Sequence, residues 1–423
     1  MRRSITLSVI AALAAVPLQA QGMREQLQQL FVFGSCGLPL CLDLSSAHGN
    51  HFIPSVQAGN QTVIGFVTGA VEKSAANAPI SSTSSGATYS IVNGLPVRTS
   101  TSAGPIFAER SQTLGRGRLF IGTNVSTIHY STLNGTPTDN MEFTFSHQDV
   151  PPAGLGNPLF ENDVIRLNLA LDINATIASV FMTYGVADFI DIGIALPFER
   201  LSLHGASTAR IDPFSFPTPH HFAGTDSAPV LNASKTVNSD ASGIGDAVVR
   251  VKVNLSQNNK AGVALLGEVH LPSGSTDNLL GSGNTSVRAL AVYAEQFGAF
   301  AIHMNGGYAL RSGSLENDAV LATAGFDNLM TPWSTLAFDL ITEWPIGPPK
   351  VQLPGPIDFV SPVQREVPST SIPTRAENRF DASLGLKFNM RRGAVIMTNV
   401  IVPLHHGSLQ PDFIWTGGLE FSF

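Results

Sequence analysis

The sequence predicts an all-β protein, a transmembrane antiparallel up-and-down β-barrel of about twelve strands, preceded by an irregular, short-helical N-terminal segment. Three observations predict it. Apolar and polar residues alternate with period two in segments of about ten residues, the length of a tilted strand that crosses an outer membrane. Past the N-terminus, no apolar run approaches the roughly 18 residues that a membrane-spanning helix requires. Charged residues make up 13% of the chain, about half of the roughly 25% usual in soluble domains, as expected where much of the solvent is lipid.

The chain opens Met1-Arg2-Arg3, continues through apolar Ile5 to Leu18 and reaches small Ala20 and Gly22. This is the layout of a secretory signal peptide, read as residues 1–22. No Cys follows the apolar stretch directly, so no lipoprotein anchor is expected. Residues 23–116 are rich in Ser, Ala and Gly and carry only fragments of pattern. Short helices are expected over Gln26–Phe33 and Ser55–Lys73, and extra strands near Thr88–Thr101 would raise the count to fourteen. This segment is expected in the periplasm or the lumen, a candidate plug for a barrel formed by residues 117–423. Cys36 and Cys41 are expected to close a local disulfide in the oxidising compartment. A metal site there would need further ligands, and His48 and His51 complete no strong zinc spacing.

The first barrel strand is expected near Leu119–Tyr130. A long alternation follows, with Ile165, Leu167, Leu169, Leu171, Ile173 and Ile177 on an apolar face. Arg166, Asn168, Asp172 and Asn174 lie between them, which assigns Arg166 and Asp172 to the lumen. The pattern continues to Tyr184 and returns through Ile190, Ile192, Ile194, Leu196 and Phe198, with Asp191 inward. Next, Val249, Val251, Val253 and Leu255 oppose Arg250 and Lys252, and Val263, Leu265, Val269 and Leu271 oppose Glu268 and His270. Val287, Ala289, Ala291 and Tyr293 oppose Arg288, while Phe300, Ile302, Met304, Tyr308 and Leu310 oppose His303 and Asn305. After a weaker strand around Val320–Phe326, Leu336, Phe338, Leu340 and Trp344 oppose Asp339 and Glu343. Phe380, Ala382, Leu384, Leu386 and Phe388 oppose Asp381 and Lys387. The strand over Ala394–Leu404 alternates less cleanly, because Val395, Met397 and Ile401 fall inward.

The last strand turns Phe413, Trp415, Leu419, Phe421 and Phe423 to lipid, and Ile414, Thr416, Gly418, Glu420 and Ser422 to the lumen. Trp415, Leu419, Phe421 and Phe423 are read as the signal recognised by the barrel assembly machinery. An even strand count fits closure with both ends in the periplasm.

Connections test the reading. Short links at Gly185–Phe189, Ser256–Lys260, Gln296–Gly298, Asp327–Ser334 and Arg391–Gly393 alternate with long ones. The long segments are Tyr130–Asn162, Gly205–Gly245, Pro272–Asn284, Arg311–Asp318, Pro345–Arg379 and His405–Asp412, the external loops. Charges also sort as required, since Arg or Lys on the lipid face costs roughly 2 to 4 kcal/mol near the midplane. The exceptions, Arg200 and Glu295, fall at strand ends. Trp333, Trp344 and Trp415 also cluster there, as an aromatic girdle would.

Several turns and strand starts resemble an outer-membrane family of transporters associated with the MetA (meta-cleavage) pathway of phenol degradation. Tyr184-Gly185-Val186-Ala187-Asp188, followed by Asp191-Ile192-Gly193-Ile194-Ala195-Leu196-Pro197, is similar to that family's Tyr-Gly turn and its strand ending in Pro. Ser242-Gly243-Ile244-Gly245-Asp246 resembles its Gly-x-Gly-Asp opening. Leu271-Pro272-Ser273-Gly274 and Asn305-Gly306-Gly307-Tyr308 fall where it has Leu-Pro-x-Gly and Asn-x-Gly-Tyr. The resemblance spans roughly residues 117 to 423 and departs from the family over the extended N-terminal part. It implies passage or binding of small, often apolar compounds and supplies no catalytic residues.

The lumenal charges allow two readings: a polar conduit that selects solutes, or a closed barrel filled by paired charges. The expected function is an outer-membrane barrel for passage or binding of small organic, hydrophobic or aromatic solutes. A structural or surface-interaction barrel with a filled lumen is the alternative. A fatty-acid-type transporter is a third reading, weakened by the lack of an Asn-Pro-Ala-like hatch. His220-His221 and His405-His406, on external loops, are read as solvated rather than metal-binding. His270, His303 and Ser286 show no marked nucleophile, so no enzyme is expected. Gly281-Ser282-Gly283 has no following helix to cradle a phosphate. No cofactor is expected. A net charge of −7 without a basic block excludes nucleic acid. The expected partners are outer-membrane lipid, the barrel assembly machinery and a small-molecule solute.

Overall fold

A computed structural model describes residues 22–34, 37–42, 69–70, 89–92, 95–98, 102–146, 163–213, 220–257, 260–314, 316–350, 352–353, 355–359, 363–390 and 393–423. The chain begins with helix α1 (Met23–Gln29) and a separate hairpin, β1 (Tyr89–Val92) and β2 (Leu95–Arg98). There follow β3 (Leu119–Leu133), β4 (Thr136–Pro137), β5 (Met141–Ser146), β6 (Val164–Ala187), β7 (Ile190–Asp212), β8 (Ala223–Thr225), β9 (Ala228–Val230) and β10 (Asn232–Ile244). The next strands are β11 (Ala247–Gln257), β12 (Ala261–Leu271), β13 (Ser286–Phe297), β14 (Phe300–Arg311), β15 (Ala319–Thr331) and β16 (Ser334–Pro345). A short hairpin, β17 (Ile357–Phe359) and β18 (Arg365–Val367), precedes β19 (Arg379–Asn389), β20 (Ala394–Pro403) and β21 (Leu409–Ser422).

Twelve strands close an antiparallel barrel: β3, β6, β7, β11 to β16 and β19 to β21. The β1–β2 hairpin forms its own sheet, so the count is not fourteen. Closure runs between the last and first strands, where Phe423 N donates to Leu119 O at 2.8 Å and Leu119 N to Phe423 O at 3.2 Å. Every backbone group of a spanning strand needs a neighbour in lipid, and a closed ring supplies one without leaving an edge. The short turns, such as Asp188–Phe189 and Gly298–Ala299, fall at the same end as Phe423, the periplasmic end.

From β11 to β21 the alternation turns the expected apolar side chains outward, with Val251, Leu265, Met304, Leu384, Trp415 and Phe421 all exposed. Such a belt would be untenable in water and suits lipid. Trp333 stacks on Phe388 at the periplasmic rim, ring centroids 5.9 Å apart.

The expectation for β6 needs correction. Its 24 residues are about twice a membrane crossing. Odd-numbered positions face inward along the whole strand, so Ile165, Leu167, Leu169, Leu171, Ile173 and Ile177 are buried inside. Arg166 and Asp172 point outward, their side chains more than half exposed, and do not line the lumen. Outward-facing residues change character along the strand instead: Arg166, Asp172 and Thr176 above, Val180, Met182 and Tyr184 below. The outer solvent has changed from water to lipid. The partner strand β7 repeats the switch between Phe198 and Arg200, which are paired with Ala178 and Thr176. Trp415, two strands away at the level of Thr127, lies on the same boundary.

The expected external loop Gly205–Gly245 holds the upper half of β7 and all of β10, which pair from Arg210↔Asn232 to Phe198↔Ile244. With β5 on the other side of β6, they raise a polar-backed wing above the membrane. Its inner face packs against α1: Leu27, Leu30 and Phe31 join Leu171, Leu203, Phe143 and Phe145 in one apolar core. The observed helix begins three residues before the expected Gln26–Phe33, and Ser55–Lys73 lies outside the described residues except for 69–70. Residues 1–21 and Cys36 also lie outside them, whereas Cys41 is fully buried and disulfide-bonded.

Candidate functional site

Below the apolar core, residues 102–118 run through the lumen as a strap. They form no regular element. Their backbone groups are met by side chains of the wall, as buried peptide groups require. Asp339 of β16 accepts N–H groups of Ile106 (3.4 Å), Phe107 (3.1 Å) and Ala108 (3.4 Å). Thr335 Oγ1 accepts from Ala103 N at 3.0 Å, and Asn254 donates to Ser111 O at 2.7 Å. At the periplasmic end, Asp191 accepts from Leu114 N at 2.9 Å and Gly117 N donates to Gly185 O at 2.7 Å. A Cβ at Gly185 would lie 2.0 Å from Gly115 O, so the glycine of the Tyr184-Gly185 turn is where the strap crosses β6.

Charge pairs fix the strap further. Glu109 meets Lys252 at 3.3 Å and Arg250 at 3.9 Å. Arg110 donates to Ser102 Oγ at 2.8 Å and lies 4.0 Å from Asp327, which His303 contacts at 2.6 Å. Other wall charges pair among themselves: Glu268 with Arg250 (2.9 Å) and Arg288 (3.9 Å), Glu343 with Arg311 (2.8 Å), Lys387 with Glu420 (3.5 Å) and Asp381 with Arg379. The structure thus places eleven of the thirteen sequence-assigned lumenal residues on the inner wall, Arg166 and Asp172 being the exceptions. Sequence reasoning missed Glu109, Arg110, Glu199, Asp327, Arg311 and Arg379. Adjacent charges at 109 and 110 in a stretch poor in charge were the available signal.

Between strap and apolar core lies a cavity of about 150 Å³. Its lining is mixed: Ile177, Leu266, Leu290, Leu321, Ile341 and Phe107 are apolar, and Glu109, Glu199, Asp246, Arg250, Glu268, Arg288, Glu343 and Arg379 carry charge. Its outer rim is stapled where two sequence motifs meet. Asp246 accepts from Gly274 N (3.0 Å), Ser282 N (2.8 Å) and Ser282 Oγ (2.6 Å), and Ser273 Oγ donates to Gly245 O at 2.8 Å. Glycine-flanked Asp246 and the Pro272-Ser273-Gly274 turn are therefore two halves of one joint.

The external histidines also need correction. His220 and His221 are buried, not solvated: His220 Nδ1 lies 3.1 Å from Asp163 Oδ2, and His221 Nε2 lies 3.2 Å from Asp226 Oδ1. The first pair ties this loop to the start of β6, and the second closes on the loop's own β8–β9 turn. His405 meets the carbonyl of Ala376 at 3.2 Å.

Residues 166–352 match the family described as "Putative MetA-pathway of phenol degradation". The match covers β6 to β16 and includes every motif on which the resemblance was read. No curated protein matches the chain. Among solved structures, an outer membrane channel from Pseudomonas putida F1 aligns at 13% identity and TM-score 0.39, over 74% of this chain and 98% of that one. A FadL homologue of Pseudomonas aeruginosa aligns at 10% identity and TM-score 0.31, over 72% and 89%. The toluene transporter TodX of Pseudomonas putida aligns at 9% identity and TM-score 0.29, over 72% and 89%. A closed strand ring with a lipid-facing belt and a periplasmic C-terminal strand is an integral protein of the bacterial outer membrane.

Proposed function

We propose that this barrel binds small, apolar organic solutes, aromatic rings among them, and passes them across the outer membrane. The observation that carries the reading is the lumenal cavity, to whose lining Ile177, Leu266, Leu290, Leu321 and Ile341 contribute hydrocarbon. A dry protein cavity of about 150 Å³ is large enough to hold a benzene ring. Charged groups such as Glu199, Glu268 and Arg288 stand beside these apolar side chains, and sites that orient a mostly apolar ligand also combine the two. Residues 102–118 act as a plug: they close the path below the cavity and are held by hydrogen bonds and ion pairs rather than by sheet pairing. Such contacts exchange for water at modest net cost, so the plug can leave without unfolding the wall.

A second reading, a structural barrel recognised by its external surface, is favoured by the apolar core that fills the upper lumen around α1. Binding separates the two. Purified barrel, its folding verified by heat-modifiable migration, is titrated with benzyl alcohol and toluene. Saturable binding at one site, abolished by Leu290→Trp in the cavity lining, is expected. A folded barrel with no saturable binding overturns the transport reading and leaves the structural one.

A further inference from the structure

The cavity contains one carboxylate that the protein leaves unanswered. Of its acidic lining residues, Glu109 has Lys252 and Arg250, Glu268 has Arg250 and Arg288, and Glu343 has Arg311. Asp246 has three donors from the 272–284 loop. Among the described residues no hydrogen-bond or ion-pair partner reaches Glu199, although its side chain lines the cavity and is only 4% exposed. Asp246, next to the Gly245 that Glu199 touches, is a second carboxylate lining the same cavity. The Glu199 Oε1 lies against the backbone of Gly245, where a Cβ would come within 2.2 Å, and the ring of Pro197 sits beside it. Nearby, the Tyr130 hydroxyl is buried with no hydrogen-bond partner.

Burying a carboxylate without a partner costs several kcal/mol, and placing it beside another carboxylate adds to that cost. A ligand that supplies the missing positive charge recovers the cost. An ammonium has three donors and no acceptor, which suits an acceptor-only carboxylate. Apolar Ile177 pairs with Glu199 across β6 and β7, and Leu266 and Leu290 line the same cavity. We infer that the cavity takes a small organic cation, a primary alkyl- or aralkylamine whose ammonium pairs with Glu199 while its hydrocarbon part lies along Ile177, Leu266 and Leu290. This inference rests on the proposed solute-binding reading and specifies its ligand class.

The test is calorimetric titration of the purified full-length barrel, its fold checked by heat-modifiable migration, with benzylamine, benzyl alcohol, benzoate and calcium chloride. Benzylamine is expected to bind roughly tenfold or more tightly than benzyl alcohol, the ratio of one charge-assisted contact, with benzoate weakest. Glu199→Gln removes that preference and keeps benzyl alcohol binding. Gly245→Ala, which drives a methyl into the carboxylate while retaining it, also lowers the preference and answers the question if the first variant does not fold. Equal affinity for amine and alcohol, a preference that survives both substitutions, or Glu199-dependent binding of calcium but not benzylamine overturns the inference and leaves the solute-binding reading standing. Binding of none of the organic compounds overturns both.

Discussion

Asp339→Ala tests the plug most sharply, because one carboxylate holds three consecutive strap N–H groups. The 3.1 Å bond to Phe107 is charge-assisted and contributes about 2 kcal/mol; the two at 3.4 Å are long and contribute about 0.5 kcal/mol each. Losing all three removes about 3 kcal/mol from strap docking. The wall is barely affected, since alanine fits the β16 ladder between Ser383 and Gly325. A shift of 3 kcal/mol changes a closed-to-open ratio by about 150-fold. Single-channel recording in planar bilayers reads it: rare openings in the parent should become frequent in the variant at the same folded yield. Limited proteolysis gives a second readout, with cleavage after Arg110 accelerated in folded protein. A variant that stays as closed and as protease-resistant as the parent would refute the claim that these bonds hold the plug.

Further predictions follow from the same geometry. Lys387→Met leaves Glu420 buried with its ion-pair partner gone and should lower stability to urea by about 3 to 5 kcal/mol, whereas Lys387→Met with Glu420→Leu recovers most of it; equal losses in both would count against a buried pair. Arg166→Ala, on the outer face of the wing, should change stability by less than about 1 kcal/mol and leave conductance unaltered, and a conductance change would reinstate it in the lumen. Deleting Phe423 removes both hydrogen bonds to Leu119 and should reduce the heat-modifiable folded fraction in membranes; normal insertion would deny the C-terminal strand an assembly role.

Much of this fold was legible in the sequence because, from β11 to β21, each strand sees lipid outside and a largely polar lumen inside, so one rule sorts most side chains, with inward Leu266, Leu290, Val395 and Met397 among the exceptions. That rule fails on β6. Its upper half has water outside and an apolar core inside, so Arg166 and Leu167 exchange roles while the strand phase never changes. The break at Ile177–Ala178, where the apolar set passes from odd to even positions, was the visible sign. β10 was hidden because the inner face of Asn232–Ile244 offers only Ala233, Val237 and Ala241 to the core, interrupted by Lys235 and Ser239, and the strand takes its order from pairing with β7. The strap had no period to read, because its hydrogen bonds end on Asp339 and Asp191 rather than on a ladder. Glu199 escaped because the apolar run of β7 stops at Phe198, although the strand continues to Asp212.

The central claim is passage of small apolar solutes through the lumen. Uptake of radiolabelled toluene by cells with intact lipopolysaccharide, comparing a deletion strain carrying the wild-type barrel with one carrying Leu290→Trp, tests it most directly. Matched amounts of folded protein are confirmed by gel migration. Faster uptake with the wild-type barrel, reduced to the level of the deletion strain by the cavity-filling substitution, is the predicted result. Equal uptake in all three strains would contradict it.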